Sequence, residues 1–165
     1  MNPRFVTGWV LFLLLLPLMA PAQQHTPMQH ERMNAEHMTA PMSDERQWVK
    51  VPEVLRSHML ANMRDHLKTL NRLHGLLGSG RFEEAADLAE QRLGLASLQL
   101  HGASRIGPYM PKRMAEIGTG MHKAASRFAL AARDAAVNGN VSAALNALAD
   151  VTAQCVACHD GYRVQ

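Results

Sequence analysis

The sequence has few aromatic residues, little cysteine and no clustered charge. Aromatic residues make up only 5% of the 165-residue chain, which weighs against a β-sheet protein, because strands favour aromatic and β-branched side chains. The formal net charge is +3 at pH 7, and basic residues are scattered among acidic ones, so no nucleic-acid interface is indicated. Ala, Leu and Met are abundant and favour helices. The composition therefore predicts an all-α protein.

Residues 1–22 have the features of a secretory signal peptide. Arg4 supplies a basic start, an apolar run covers 10–19, and the sequence Ala-Pro-Ala at 20–22 is typical of a cleavage site. An uncleaved membrane anchor is the alternative, but a membrane-spanning helix needs roughly 20 apolar residues, and Pro17 interrupts this shorter run. The sequence predicts a periplasmic protein that is not held in the membrane after cleavage.

Residues 23–50 are polar, contain two prolines and lack a helical or strand period. They predict a disordered tether. The tether is rich in thioether and imidazole side chains, which suit copper, particularly the cuprous ion. A spacer whose composition has no specific role is the alternative. The candidate copper ligands are His25, Met28, His30, Met33, His37, Met38 and Met42.

Turn signals divide the domain at 51–165 into four predicted helices, and a segment at 94–111 is expected to be partly helical and then looped. Asn140 is expected to cap the last helix. Amphipathic helices joined mainly by short turns predict an antiparallel up-down-up-down four-helix bundle. The predicted helices cover 52–77, 81–93, 112–137 and 141–162.

The first predicted helix has apolar residues that recur in steps of three and four, which is typical of a helix face in a bundle. His74 fills one position of this stripe. The stripe predicts which residues face the core: Leu60, Met63, Leu67, Leu70 and Leu77.

The two cysteines of the chain belong to the sequence Cys155-Val156-Ala157-Cys158-His159 near the C-terminus. Two thiols three residues apart on a helix lie on the same side, where each can add to one vinyl group of a haem. His159 follows directly, so its imidazole can become an axial ligand of the iron. The motif predicts one covalently attached haem c.

Two other roles fit a Cys-x-x-Cys sequence less well. A thioredoxin-type dithiol normally opens the first helix after a strand of a βαβ fold, but only six residues follow His159. A structural zinc site needs four ligands, and the sequence has no second cysteine pair. Haem attachment is therefore the favoured interpretation.

The bundle geometry puts the other half of the haem site on the first helix. In an antiparallel bundle the end of the last helix lies beside the start of the first, which predicts a pocket near Arg56, Met59, Leu60 and Met63. Arg56 can pair with a haem propionate, and a solvated surface charge is its alternative role. Leu60 and Met63 can face the iron or serve only in core packing.

The haem motif at the end of the last of four helices resembles the class II cytochromes c, the cytochrome c prime family. The chain from Cys155 to Arg163 resembles the family ending Cys-x-x-Cys-His-x-x-Tyr-Arg. A second match lies in the first helix, where four residues fall without a gap on a family pattern. These residues are Arg56, Leu60, Met63 and His66.

The resemblance implies a four-helix bundle, often a homodimer through its first two helices. It also implies that His159 is the proximal iron ligand, that Arg163 lies near the proximal haem face and that Arg56 lies at a propionate. The tether at 23–50 has no counterpart in the family, and the segment at 94–111 departs from the family pattern. The resemblance is specific only at its two motifs.

The sixth iron ligand decides between two functions. In the ungapped family register Leu60 occupies the distal position, which implies a five-coordinate haem that binds NO or CO. The alternative is a low-spin electron carrier with Met63 or Met59 as the sixth ligand. In both cases we expect a non-enzymatic haem protein that serves electron transfer with a periplasmic partner protein, gas binding, or both.

Two further hypotheses belong to other functional classes. In the first, the tether receives copper and the haem exchanges an electron with it. In the second, an open ferric haem reacts with peroxide, with His58 or Arg56 on the distal side, although no spacing fixes either residue over the iron. The sequence favours a cytochrome over both.

Overall fold

A computed structural model describes residues 43–165, so the predicted signal peptide and most of the predicted tether lie outside the described residues. The described chain is mostly helical, which confirms the prediction of an all-α protein. Two three-residue strands, β1 and β2, accompany the helices. The helices are α1 (Glu53–Gly78), α2 (Phe82–Arg92), α3 (Ala103–Ile106), α4 (Lys112–Asn138) and α5 (Val141–Gly161).

The four long helices begin and end within one residue of their predicted bounds. Local signals explain this agreement. Pro52 occupies the N-cap position of α1 with a φ of −51°, and Glu53 in the first turn complements the helix dipole. After α1, Gly80 adopts a φ of 72°, a left-handed conformation that ends helices and favours glycine.

The turn between α4 and α5 is equally local. Gly139 follows α4 with a φ of 72°, and Asn140 begins the next helix. The Asn140 side-chain oxygen accepts a hydrogen bond from the Ala143 N–H at 3.1 Å. This geometry confirms Asn140 as an N-cap, and it turns the chain sharply enough for α5 to pack along α4.

The main core is defined here as the buried residues that α1, α2, α4 and α5 share around Leu73 and Phe128, which are fully buried. Small side chains let the helices approach closely. The alanines of α2 meet those of α4, which also packs along α5. The core alanines are Ala85, Ala86 and Ala89 on α2, Ala124, Ala125, Ala129, Ala132 and Ala135 on α4, and Ala144 on α5.

The predicted core stripe of α1 is wrong at several positions. Leu67 is 69% exposed, Leu60 is 36% exposed, and His74 is exposed. Apolar residues occur on more than one face of α1, so the packing partners and not the periodicity select the buried face. The residues of α1 that are buried are Met59, His66, Thr69, Leu73 and Leu77.

The segment between α2 and α4 is partly helical, as predicted. Two 3-10 turns, Leu95–Ser97 and Gly107–Tyr109, flank the single-turn helix α3. Gly102 precedes α3 with a φ of 65°, a conformation that suits glycine. This segment carries His101 and Ser97 into the interior, where both are buried.

Two short strands join the start of the described chain to its end. Strand β1 (Gln47–Val49) pairs in parallel with β2 (Tyr162–Val164), and Trp48 lies opposite Arg163. Val49 is only 3% exposed. The predicted tether therefore extends too far: residues 47–49 belong to the folded domain, because they pair with a strand that is distant in sequence and that a local pattern cannot reveal.

Of the helices in residues 43–165, α5 alone is long and apolar enough to cross a membrane by length and composition. Its apolar residues include Ala144, Leu148 and Val151, which are buried in the main core. Packing against α4 therefore accounts for one apolar face of α5.

Candidate functional site

The two cysteines lie in the last turns of α5 as free thiols of intermediate burial. Burial raises the pKa of both thiols, so they are protonated at neutral pH. A redox dithiol instead relies on a stabilised thiolate, which a helix N-terminus or a nearby cation provides. Cys155 and Cys158 lie at the opposite end of a helix, where the dipole disfavours an anion. The site therefore lacks the features of a thioredoxin-type dithiol.

His159 lies directly beyond the two thiols and is exposed. Because α5 continues to Gly161, His159 is one helical turn beyond Cys155 on the same face. The carbonyl oxygen of His159 accepts a hydrogen bond from Arg46 Nη1 at 3.4 Å. The segment before α1 thus supports the backbone of the motif and leaves the imidazole at the surface.

Cys158 packs against a second hydrophobic cluster, which we call the methionine cluster. The cluster draws on the segment before α1, on α1 itself, on α3 and on the start of α4. Its buried members are Val49, Val51, Met59, Ile106 and Met114, and its partly buried members are Leu55, Met110, Cys158, Tyr162 and Val164. Thioether side chains and one thiol of the motif therefore share one apolar environment.

The α1 residues proposed from the sequence differ in their relation to this cluster. Met59 is 7% exposed and belongs to the cluster, whereas Leu60 is 36% exposed and does not. Successive helical residues point about 100° apart, so Met59 and Leu60 cannot both face Cys158. Met63 is half-buried, one turn beyond Met59, and lies outside the cluster. Of the three candidates, the structure brings only Met59 together with Cys158.

Arg56 is engaged with a carboxylate of its own helix. Its Nη2 lies 2.8 Å from Glu53 Oε2, and its Nε donates to the same oxygen at 2.9 Å. Both side chains are partly or largely exposed, so the pair contributes little stability. A haem propionate would therefore have to replace Glu53 as the partner of Arg56.

Arg163 lies in β2 and contacts the segment before α1. Its Nη1 is 2.9 Å from Asp44 Oδ2, and its guanidinium carbon lies 3.8 Å from the centre of the Trp48 ring. A hydrogen bond from Arg46, followed by the charge of Arg163, holds the pKa of Asp44 well below its usual range. Arg163 Nε is buried without a hydrogen-bond partner. These contacts hold the segment before α1 against β2, next to the cysteine motif.

Sequence reasoning assigned no role at the site to most members of the methionine cluster, among them Ile106, Met110 and Met114. Met114 is the first buried residue of α4, and the apolar period of that helix predicts it as a core residue but not as a neighbour of Cys158. Ile106 and Met110 belong to the irregular segment between α2 and α4, whose path has no comparable period. The surroundings of Cys158 therefore depend partly on a segment that sequence patterns do not resolve.

The geometry thus joins a free thiol pair, an exposed histidine and the methionine cluster at one end of the helical domain. Comparisons of the chain with protein families, with curated proteins and with solved structures give no match.

Proposed function

We propose that the chain is a mono-haem c-type cytochrome of the periplasm that transfers electrons. Cys155 and Cys158 would bind the haem covalently, and His159 would be an axial ligand of its iron. One observation carries this proposal: the two thiols remain free on one side of a helix end, beside an exposed imidazole. This is the donor set that covalent haem attachment requires.

The helix arrangement supports a four-helix bundle of the kind that the class II cytochrome resemblance implies. Four long helices follow one another in the predicted order, with the short α3 inserted between the second and the third. Pairing of β1 with β2 brings the start of α1 to the end of α5. In an antiparallel bundle these two ends are neighbours.

The surroundings of Cys158 fit a macrocycle that is largely apolar. When bound, the haem supplies a one-electron redox centre. The methionine cluster would exclude water from the haem edge next to Cys158, and such burial is one of the means by which a protein sets a haem potential. Arg56 and Arg163 are two of the guanidinium groups near this end, and either would suit a propionate.

The burial of Met59 favours a low-spin electron carrier with Met59 as the sixth ligand. Its thioether belongs to the cluster that contacts Cys158, and Leu60 is outside that cluster. Methionine opposite histidine is an established ligand pair of electron-transferring c-type haems. An open site that binds NO or CO remains the alternative function, and it requires Leu60 to face the iron.

Optical spectra of the ferric and ferrous protein, with and without CO, test this proposal. We expect six-coordinate low-spin spectra that do not change with CO. The variant Met59→Leu should become high-spin and bind CO, because leucine cannot ligate iron. Met63→Leu is the matched control, one turn away on the same helix, and should keep the original spectra. CO binding by the unaltered ferrous protein would contradict the low-spin assignment and favour the gas-binding alternative.

A further inference from the structure

Three histidines are buried together in the interior of the helical domain. His66 of α1 is 7% exposed, His101 of the segment before α3 is 6% exposed, and His122 of α4 is 8% exposed. Histidine is seldom so buried without a partner or a function. The three side chains come from separate parts of the chain, so the fold itself brings them together.

Hydrogen bonds place a proton on His122 Nδ1 and favour one on His101 Nδ1. His122 Nδ1 donates to the Leu93 carbonyl oxygen at 2.7 Å. Ser97 Oγ donates to the Gly94 carbonyl oxygen and can therefore accept from His101 Nδ1, which lies 3.4 Å away. With hydrogen on Nδ1, the Nε2 atoms of His101 and His122 each carry a free lone pair. Metal-binding histidines commonly have this arrangement.

The Nε2 atoms of His66 and His101 face each other at 3.3 Å. Without a metal this distance fits a hydrogen bond from His66 Nε2–H to His101. It also fits two ligands of one ion, because two metal–nitrogen bonds of about 2.05 Å at a tetrahedral angle separate the nitrogens by about 3.3 Å. If the His66 hydrogen moved from Nε2 to Nδ1, both Nε2 atoms would have a lone pair available for the metal ion.

Two of the three ring separations agree with a three-histidine site. Around one tetrahedral ion, the centres of coordinating imidazoles lie about 5 Å apart. The observed separations are 4.6 Å for His66 and His101, 5.3 Å for His101 and His122, and 6.4 Å for His66 and His122. In residues 43–165 no group of three such side chains is already arranged to hold a metal ion, so the wider pair must close by about 1 Å.

We propose that His66, His101 and His122 bind one divalent transition-metal ion of the zinc and copper class, at a site separate from the haem iron. Imidazole nitrogen suits these ions. Three neutral histidines with one open position form a known type of zinc site.

The local charges are compatible with such an ion. Burial and the neighbouring histidines lower the pKa of His66 to about 4, and burial likewise lowers that of His101 to about 4. Both are therefore neutral, metal-competent ligands at pH 7. Asp65, which pairs with Arg92 at 2.6 Å, is the nearby acidic group.

A fourth histidine lies next to this group. His58 Nε2 is buried and has no hydrogen-bond partner. It lies close to Gly102, where an added Cβ would approach it to 3.2 Å. Gly102 directly follows His101, so an unsatisfied imidazole nitrogen borders the proposed site. Burying a polar atom without a hydrogen-bond partner costs free energy, and a bound ligand or ion nearby would offset that cost.

Zinc titration by calorimetry tests the site in the haem-loaded mature chain. The background carries His25→Gln, His30→Gln and His37→Gln, so the tether histidines do not compete. We expect one zinc ion to bind, and we expect His66→Gln or His101→Gln to weaken binding by at least about tenfold. His74→Gln, an exposed position two turns beyond His66, is the control and should leave binding unchanged. Equal zinc binding by the His66→Gln and His74→Gln proteins would overturn the proposal.

A second measurement avoids any effect of the substitutions on folding. X-ray absorption at the zinc edge of the parent protein should show nitrogen ligands at about 2.0 Å and no sulfur ligand. A spectrum with sulfur ligands, or a parent protein that binds no zinc, would show that the three histidines are only a neutral hydrogen-bonded cluster. Haem content, measured separately, tests the cytochrome proposal and does not depend on this result.

Discussion

The main core and the methionine cluster are built from different kinds of side chain. The main core pairs many alanines with a few large residues, of which Phe128 and Leu73 have no exposed surface. Close packing of this kind defines a single arrangement. The methionine cluster contains Met59, Met110 and Met114, whose flexible thioethers adapt to neighbours of different shape. The comparison predicts a rigid scaffold with one adaptable end. Cys158 packs against that end, and Cys155 packs against the main core.

Removing both thiols should have the largest effect, which we expect on haem attachment. In Cys155→Ala combined with Cys158→Ala we expect complete loss of covalent haem, because no other cysteine exists in the chain. Acid–acetone extraction followed by haem staining of the protein checks this. Helix content by circular dichroism should change little. Haem that stays with the protein after extraction would contradict the proposed attachment.

Creating a cavity in the main core should produce the largest loss of stability. We expect Phe128→Ala to lower the free energy of unfolding by about 3–5 kcal/mol, because Phe128 is fully buried. Met114→Leu in the methionine cluster should cost less than about 1.5 kcal/mol. Urea unfolding of both haem-loaded variants measures the difference. Similar losses at the two positions would remove the contrast between a rigid core and an adaptable end.

Lowering the pH should reduce the free energy of unfolding, because two buried histidines are neutral in the folded protein. The pKa of His66 and that of His101 are lowered to about 4 in the folded protein, whereas unfolded histidine titrates near 6.5. The unfolded chain therefore binds more protons between these values, and stability falls as pH drops from about 6.5 to about 4. Since one pKa unit corresponds to about 1.4 kcal/mol, we expect a loss of roughly 3 kcal/mol from each of the two histidines, measured by urea unfolding of the haem-loaded protein without added zinc.

The variant His66→Gln should reduce this pH dependence, and the exposed control His74→Gln should retain it. If the unfolding free energies of His66→Gln and His74→Gln had the same pH profile, the neutral state of the buried histidines would not be the cause.

Removing the cap of α5 should have the smallest effect. We expect Asn140→Ala to lower the free energy of unfolding by about 1 kcal/mol, because it deletes the hydrogen bond to the Ala143 N–H. The haem spectrum should not change, since the cap lies at the other end of α5 from the cysteines. Ser142→Ala, at an exposed position of the same turn, is the control and should stay within about 0.5 kcal/mol. An altered spectrum in Asn140→Ala would show that the two ends of α5 are coupled.

Helix bounds were predictable from the sequence because their signals are local. Pro52, Gly80 and the turn at 138–140 act on the residues beside them. The buried face of α1 was not predictable, because Leu60 and Leu67 are as apolar as the residues that are buried. His66 and Thr69 are buried instead, and the partners of His66 come from α4 and the irregular segment before α3.

The candidate site likewise has one part that the sequence predicts and one part that it does not. The thiols and His159 form one continuous sequence, so the attachment motif could be recognised without a fold. The surroundings of Cys158 combine β1, α1, α3 and α4, and the pairing of β1 with β2 joins residues more than a hundred positions apart. Neither arrangement leaves a periodic pattern. For this reason Met59 could be proposed only beside Leu60 and Met63, as one of three alternatives.

Covalent haem attachment is tested most directly by mass spectrometry of the tryptic peptide 134–163 from the exported protein. This peptide contains both cysteines and no internal Lys or Arg. The account predicts that its mass exceeds that of the unmodified peptide by one haem. A peptide with two free thiols, or one lighter by two hydrogens because of a disulfide, would contradict it.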